Sequence, residues 1–395
     1  MAADTLQLSE QDLHQWDLLA QFRRHLGAAC PPAVLPPSWA DPARHLHYAD
    51  YLSLYLFGLL NPVLKTMQAL CAASQLERVR RTVCTQSVSL GSFSEAQHLV
   101  EPAALEQLFG ELAARVHGTL PADPRAAWQQ WFARDSSLFA ALPRMSWALY
   151  GGGRAGATNN AVRLHLSFPL LDDKPARAQI TPGQTCERKA WQADWEKGAA
   201  YVGDRYFAQD YALLGQLDAH RCRYVLRLRE EAVVNVEEER PVSQDDRASG
   251  VTRQAWVRLG ARPAGRSARV RVVWIETAAG ETLRLVTNVA TEELSAAEVG
   301  LLYRRRWQIE CFFRWVKCLL GCRHWLAESQ RGVTIQLYLA LIASVLLQLA
   351  TGRRPNRRML ELIQLYQLGW ATLAELLGGL AREQERAERR NKKTK

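Results

Sequence analysis

The stretch Leu301–Trp325, LLYRRRWQIECFFRWVKCLLGCRHW, decides how this chain is read. Within it Tyr303, Arg306, Glu310 and Lys317 follow one another at steps of three, four and seven. A helix advances about 100° per residue, so the four fall in a stripe roughly 60° wide. Leu302, Ile309, Phe312, Phe313, Val316 and Leu320 form a neighbouring apolar band wide enough to dock on a core. The predicted helix buries one side and holds a single carboxylate among a phenol, a guanidinium and an ammonium. That set suits a metal ion beside a phosphodiester. A Glu between Arg and Lys at helical spacing also describes an ordinary solvated face with modest ion pairs. Local charge weighs against the ordinary reading: Leu301 to Arg331 carries seven Arg or Lys and two acids, Glu310 and Glu328. Trp307, Phe313, Trp315 and Trp325 interleave with these cations, and a basic, aromatic face fits a polyanion.

Outside this stretch, the composition is that of an ordinary globular protein with room for two to four structural units in 395 residues. A formal charge of +10 favours an anionic partner such as DNA. The tail from Arg382 to Lys395 mixes Arg, Glu and Lys and reads as a frayed basic end. No apolar leader opens the sequence, and the longest apolar run, Thr334–Thr351, is interrupted by Gln336 and Gln348. A buried core helix is the expected reading, in a cytoplasmic protein with no membrane partner. Eight cysteines without a secretory signal read as reduced thiols. Cys311, Cys318, Cys322 and His324 lack the Cys-x-x-Cys spacing of a zinc site.

From the N-terminus, Ser9 reads as an N-cap followed by Leu13, Trp16, Leu19, Phe22 and Leu26 on one face, with Gly27 as the stop. His47–Ala73 and Glu95–Gly118 read as further helices, and Pro121 to Pro124 close a helical unit spanning 1–124. Ala161–Phe168 alternates cleanly as a half-buried strand. Ala178–Thr181 is a short strand, and Ala199–Gly203 runs into Asp204. Tyr206–His220 reads as a helix and Tyr224–Leu228 as a strand. Four more strands, Val233–Glu237, Val251–Leu259, Val270–Ile275 and Leu283–Val289, fill a β-rich stretch at 230–289. The predicted class is α/β, a mixed sheet covered by helices. Residues 125–229 and 290–352 form the two parts of the core, and 353–395 a C-terminal helix and basic tail. The Gly-rich run from Gly151 lacks the Gly-Lys-Ser/Thr ending of a phosphate loop, which argues against an ATPase.

The row Tyr303, Arg306, Glu310, Lys317 resembles the Y-R-E-K signature of DDE transposases from bacterial insertion sequences, in the branch often called insertion sequence family four. Two further segments resemble that family in the right order: Asp135-Ser-Ser-Leu-Phe139, and Gly203-Asp-Arg-Tyr-Phe207. Together they span about half the chain. The resemblance implies a ribonuclease-H-like core interrupted by a β-rich insertion, with end recognition in the N-terminal region. It also implies Asp135, Asp204 and Glu310 as catalytic, metal-binding carboxylates. Ser136 departs from the pattern, since relatives often carry Gly there; Asp172 or Asp173 is the fallback first acid. Tyr303, Arg306, Lys317, Arg314 and Arg205 become DNA contacts. Trp274, with Trp256 as a second choice, becomes a candidate to stack on a flipped base, although Leu285 occupies the more similar position.

Strand transfer needs an attacking oxygen activated and a leaving oxygen stabilised, which two cations about 3.5–4 Å apart can do. Carboxylates suit Mg²⁺, with Mn²⁺ as a substitute, because hard cations take oxygen ligands. The expected function is cleavage at the ends of an insertion sequence and joining of the 3′ ends to target DNA. A hairpin intermediate is the implied route, and a homodimer on double-stranded DNA is the implied assembly. The rivals are a non-catalytic DNA-binding repressor, a structure-specific nuclease on the same fold, and a membrane-associated helical protein.

Overall fold

The computed structural model describes residues 17–29, 37–39, 41, 43–116, 130–152, 158–171, 174–261, 267–321 and 325–393. The N-terminal part is helical: α1 (Asp17–Ala29), α2 (Tyr48–Leu60), α3 (Met67–Ser74), α4 (Glu77–Thr82), α5 (Leu90–Ala96) and α6 (Pro102–Arg115). The helix expected over His47–Ala73 is two. Pro62 lacks an N–H and cannot extend α2, and the Thr66 side chain caps α3 by accepting from the Ala69 amide. The second expected helix likewise divides, because Pro102 opens α6. Ser9, Leu13 and Trp16 lie outside the described residues; Phe22 and Leu26 of the same face are buried.

The sheet contains β1 (Trp131–Ala140), β2 (Leu149–Gly152), β3 (Thr158–Pro169), β4 (Arg177–Pro182), β5 (Ala200–Gly203) and β6 (Arg223–Arg227). It continues through β7 (Val234–Arg240), β8 (Val251–Leu259), β9 (Val270–Glu276) and β10 (Thr282–Thr287). Its order is β2-β3-β1-β5-β6-β10-β9-β8-β7, with β4 also paired to β3. β1, β5 and β6 are mutually parallel, whereas β3 runs antiparallel to β1 and β10 antiparallel to β6. The meander β7–β10 therefore adds to the same sheet through the β6–β10 pairing. Its outer strand β7 carries Glu237, Glu238 and Glu239, which pair with Arg258, Arg269 and Arg253.

Alternation along β5 divides the interior into two layers. Ala200 and Val202 join the larger core, with β1, β3 and the helices of both chain ends. Tyr201 points the other way, into a core shared with Phe207, Leu213, Tyr224 and Val272. The second layer is covered by α7 (Glu187–Gln192) and α8 (Tyr211–Ala219). On the larger core lie α10 (Ala296–Arg305), α11 (Trp307–Leu319) and α12 (Gln330–Thr351), after α9 (Gln244–Ala248) in the meander. The chain ends in α13 (Arg357–Gln367) and α14 (Leu373–Lys393).

By length and composition α12 could cross a membrane, but it is the core helix, with Val333 to Gln348 mostly buried. Two of its buried polar side chains are bonded inside the protein: Gln336 Oε1 accepts from the Tyr55 hydroxyl at 3.1 Å and the Leu326 amide at 3.0 Å. The Trp315 indole donates to Ser344 Oγ at 2.7 Å. At the N-terminus of α12, Ser329 caps the helix and donates to Gln97 Oε1 of the N-terminal helices. Gly332 makes that approach feasible, because a Cβ there would stand 2.4 Å from both Ala327 Cβ and Gln97 Oε1.

Candidate active site

Parallel pairing of β1 with β5 sets Trp131 opposite Ala200 and Ala133 opposite Val202. That register puts Asp135 level with Asp204, at the point where β5 ends and β1 runs on. Asp204 Oδ1 accepts from the Tyr206 amide at 2.9 Å, a local turn that fixes the departing loop. Asp135 Oδ1 accepts from the Ser136 amide at 2.8 Å, and its Oδ2 accepts from Arg306 Nη1 at 3.0 Å.

Glu310 reaches the same place from α11. The single helix expected over Tyr303–Lys317 is in fact two, joined at Arg306, whose backbone stays in the right-handed helical region. Arg306 Nη2 donates to Glu310 Oε1 at 2.5 Å. One guanidinium, only 11% exposed, thus spans Asp135 and Glu310. Burial opposes its charge, yet Tyr303, Asp135 and Glu310 outweigh that and raise its pKa. Asp135 is pushed up to about 7, first by burial, against the pull of Arg306 and with added repulsion from Asp204 and Glu187.

Around this centre the other expected residues fall as follows. The Tyr303 ring lies 5.5 Å from the Arg306 guanidinium. Lys317 sits over the Phe139 ring at 5.4 Å, and Arg314 over the exposed Trp307 at 5.2 Å. Arg205 is exposed beside Asp204. Trp274 stands in β9 under Arg253, 4.7 Å from its ring, at the rim of the second core. A cavity of about 640 Å³ bordered by Tyr303, Arg306 and Trp307 is closed by Arg227 and Glu230 and does not include Trp274. Leu285 is fully buried in β10. Asp172, Asp173, Cys322 and His324 lie outside the described residues.

One acid here has no local sequence signal. Glu187 opens α7, where a lone Glu reads simply as a favourable charge at a helix start. Its carboxylate feels the charges of Arg163 and of Asp204. Burial raises its pKa, against Ser136 and Arg163. Arg163 Nη1 stands 3.5 Å from it and donates to Ser136 Oγ at 2.9 Å. Ser136, the departure from the family pattern, therefore has a bonding role.

His165, on β3, shares a hydrogen bond with Thr181 Oγ1 at 2.9 Å. Burial, then Arg163 and Arg134, lower its pKa from 6.5 to about 4. Between those values the unfolded chain binds the proton and the folded chain does not, so stability falls with falling pH. The expected loss from His165 is about 2 kcal/mol between pH 7.5 and pH 5. Urea unfolding at the two pH values, compared with His165→Gln, measures it; an unchanged difference in the variant would refute the assignment.

Comparison with known proteins places the chain in a family. The family described as "Transposase DDE domain" matches residues 119–346, a range that contains Asp135, Asp204 and Glu310. The chain belongs to that family. A probable transposase for insertion sequence element IS5377 from Geobacillus stearothermophilus is 28% identical over 206 residues, 52% of this chain and 52% of that protein. The match thus spans about half the length of that relative. A putative transposase, y4zB, from Sinorhizobium fredii is 25% identical over 270 residues, 67% of this chain and 72% of its own length. Among solved structures, a piggyBac transposase synaptic complex with hairpin DNA aligns over 94% of this chain and 86% of that one. Its TM-score is 0.44 and its identity 8%, too slight a likeness to bear on the fold.

Proposed function

We propose that this protein binds the ends of a bacterial insertion sequence, cleaves DNA there and joins the 3′ ends to target DNA. The observation that carries the reading is the convergence of Asp135, Asp204 and Glu310 at the end of the parallel strands, inside the family's matched range. The order β4-β3-β1-β5-β6, with three parallel strands, supports a ribonuclease-H-like core formed by 125–229 and 290–352, with β7–β10 as its insertion. Residues 1–124 are the candidate for end recognition, and α13 and α14 for contact between two copies on DNA.

Divalent cations, Mg²⁺ in the cell, fit the chemistry of the site, because its acids are hard oxygen donors. In the conformation described, no three His, Cys, Asp or Glu among the described residues are grouped to hold a metal, and the Arg306 guanidinium bonds both Asp135 and Glu310. Asp135, Asp204 and Glu310 would be the ligands once Arg306 yields. A bound cation would supply activation of the attacking oxygen and stabilisation of the leaving oxygen. Arg306 then turns its fork from carboxylate to phosphate oxygens, a bidentate partner of the same geometry. Tyr303 and Lys317 orient the same strand, and excision proceeds through a hairpin on the element's end.

A labelled duplex carrying the element's end, incubated with Mg²⁺ or with EDTA, tests the reading. Expected are metal-dependent nicks at the end and joined products with target DNA. Binding without nicking would favour a repressor, and nicking without joining a structure-specific nuclease.

A further inference from the structure

One carboxylate of the β meander is bonded to two helices at once. In α9, Asp246 Oδ2 accepts from the Ser243 hydroxyl at 2.8 Å and from its amide at 3.2 Å, the reciprocal cap of a helix start. Its Oδ1 serves a different helix: the Ala297 amide, at the second residue of α10, donates to it at 2.8 Å. Asp246 is 4% exposed, so both bonds are shielded from water. Just before the same helix start, the fully buried Arg271 of β9 donates through Nη2 to the Leu294 carbonyl at 2.6 Å.

Capping alone is the simpler account of Asp246. It falls short because α10 carries a complete cap of its own. Ser295 Oγ accepts from the Glu298 amide at 3.2 Å, and Glu298 Oε2 accepts from the Ser295 amide at 2.9 Å. The bond from Asp246 is not needed to start the helix; it decides where the helix sits. α10 also rests on β9 at Gly300, where a Cβ would stand 2.7 Å from Ile275 Cδ1. At a rise of about 1.5 Å per residue, Ala297 lies about 4.5 Å to one side of that contact and Arg306 about 9 Å to the other. A shift at the anchored end is thus roughly doubled at Arg306. There the guanidinium bonds both Asp135 and Glu310.

We propose that Asp246 is a positioning residue for DNA cleavage: through its bond to Ala297, the β meander sets the placement of Arg306 over the acids of the site. This rests on the reading of Arg306 as a donor to a DNA phosphate there. A misplacement of about 1 Å can cost a catalytic group about 10²-fold in rate. Roughly half that displacement at Ala297 is enough to produce it.

The test is single-turnover nicking by the full chain, with Mg²⁺, of a labelled duplex that carries the element's end. Asp246→Ala is expected to lower the rate constant at saturating duplex about 10–100-fold. The duplex concentration that saturates the protein should not change. Asp246→Asn, whose single acceptor oxygen serves only one of the two helices, should recover part of the rate. A residue that merely held the fold would reduce the amount of product and leave the rate constant unchanged, and that result would overturn the proposal. A second arm places Asp246→Ala in the Arg306→Ala protein. Because Asp246 acts through Arg306, little further slowing is expected; slowing by the full factor would also overturn the proposal. No nicking by the wild type would overturn the proposed function with it. Should Asp246→Ala fail to fold, Asp246→Asn carries the test: a several-fold slower rate constant is expected, and an unchanged one would overturn the inference.

Discussion

Arg306→Ala is expected to take up Mn²⁺ more tightly than the wild type while cutting DNA about 10²–10³-fold more slowly. Both effects follow from one contact. The guanidinium donates to Asp135 at 3.0 Å and to Glu310 at 2.5 Å, so a cation entering between them must displace it. Without Arg306 the two acids lose their competitor, and the entering cation takes over the pull that holds Asp135 down. Cleavage suffers because the same fork is the candidate donor to a phosphate oxygen, where preorganised charge matters most. Mn²⁺ titration and single-turnover nicking separate the two roles. A purely structural arginine would lower metal affinity and rate together, and that outcome would refute the partner exchange. Arg306→Lys should recover little of the rate, since an ammonium cannot bond two oxygens as a planar fork does.

Gly332→Ala is expected to cost about 3 kcal/mol of stability, the upper part of the usual range for forcing atoms into a packed core. The added methyl would meet Ala327 Cβ and Gln97 Oε1 at 2.4 Å, and Ser329 Oγ at 3.0 Å. The first two belong to other segments, and the third caps the helix, so no single side chain can step aside. Gln97 ties the N-terminal helices to α12, as does Arg331, which donates to the His98 carbonyl at 2.6 Å. The damage should therefore reach both parts of the larger core. Gly110→Ala in α6 is the control: its Cβ would meet nothing within 4 Å, and a gain of up to about 1 kcal/mol is expected there. Equal midpoints in urea for the two variants would refute the packing argument.

How much of this was legible in the chain differs from element to element. Strands with clean alternation or an unbroken apolar run were readable almost to the residue; Val251–Leu259 is β8 as expected, and Ala161–Phe168 lies within β3. Helix ends were harder where a proline or a tight turn interrupts an otherwise periodic pattern, as at Pro62, Pro102 and Arg306. The spacing of Arg306 and Glu310 gave their contact, because residues four apart on a helix meet. Spacing could not show that Arg306 also reaches Asp135, since that depends on the docking of α11 against β1. Glu187 was invisible for a related reason: its partner Arg163 belongs to β3 and is brought beside it by tertiary packing. Trp274 shows the converse, an aromatic whose residue type invited a role and whose ring lies in β9 beneath Arg253, apart from the cavity beside Tyr303 and Arg306.

The pairing of β10 with β6 has a consequence for anyone who would shorten the protein. Because β7–β10 shield one side of β6, deleting them would uncover a row of unsatisfied N–H and C=O groups on a strand rich in Tyr, Val and Leu. Such a strand recruits another copy of itself. A trimmed version would be expected to come out of cells as insoluble material, unless the new border were blunted with lysine or proline. The present border, β7, is already protected by its glutamate–arginine pairs.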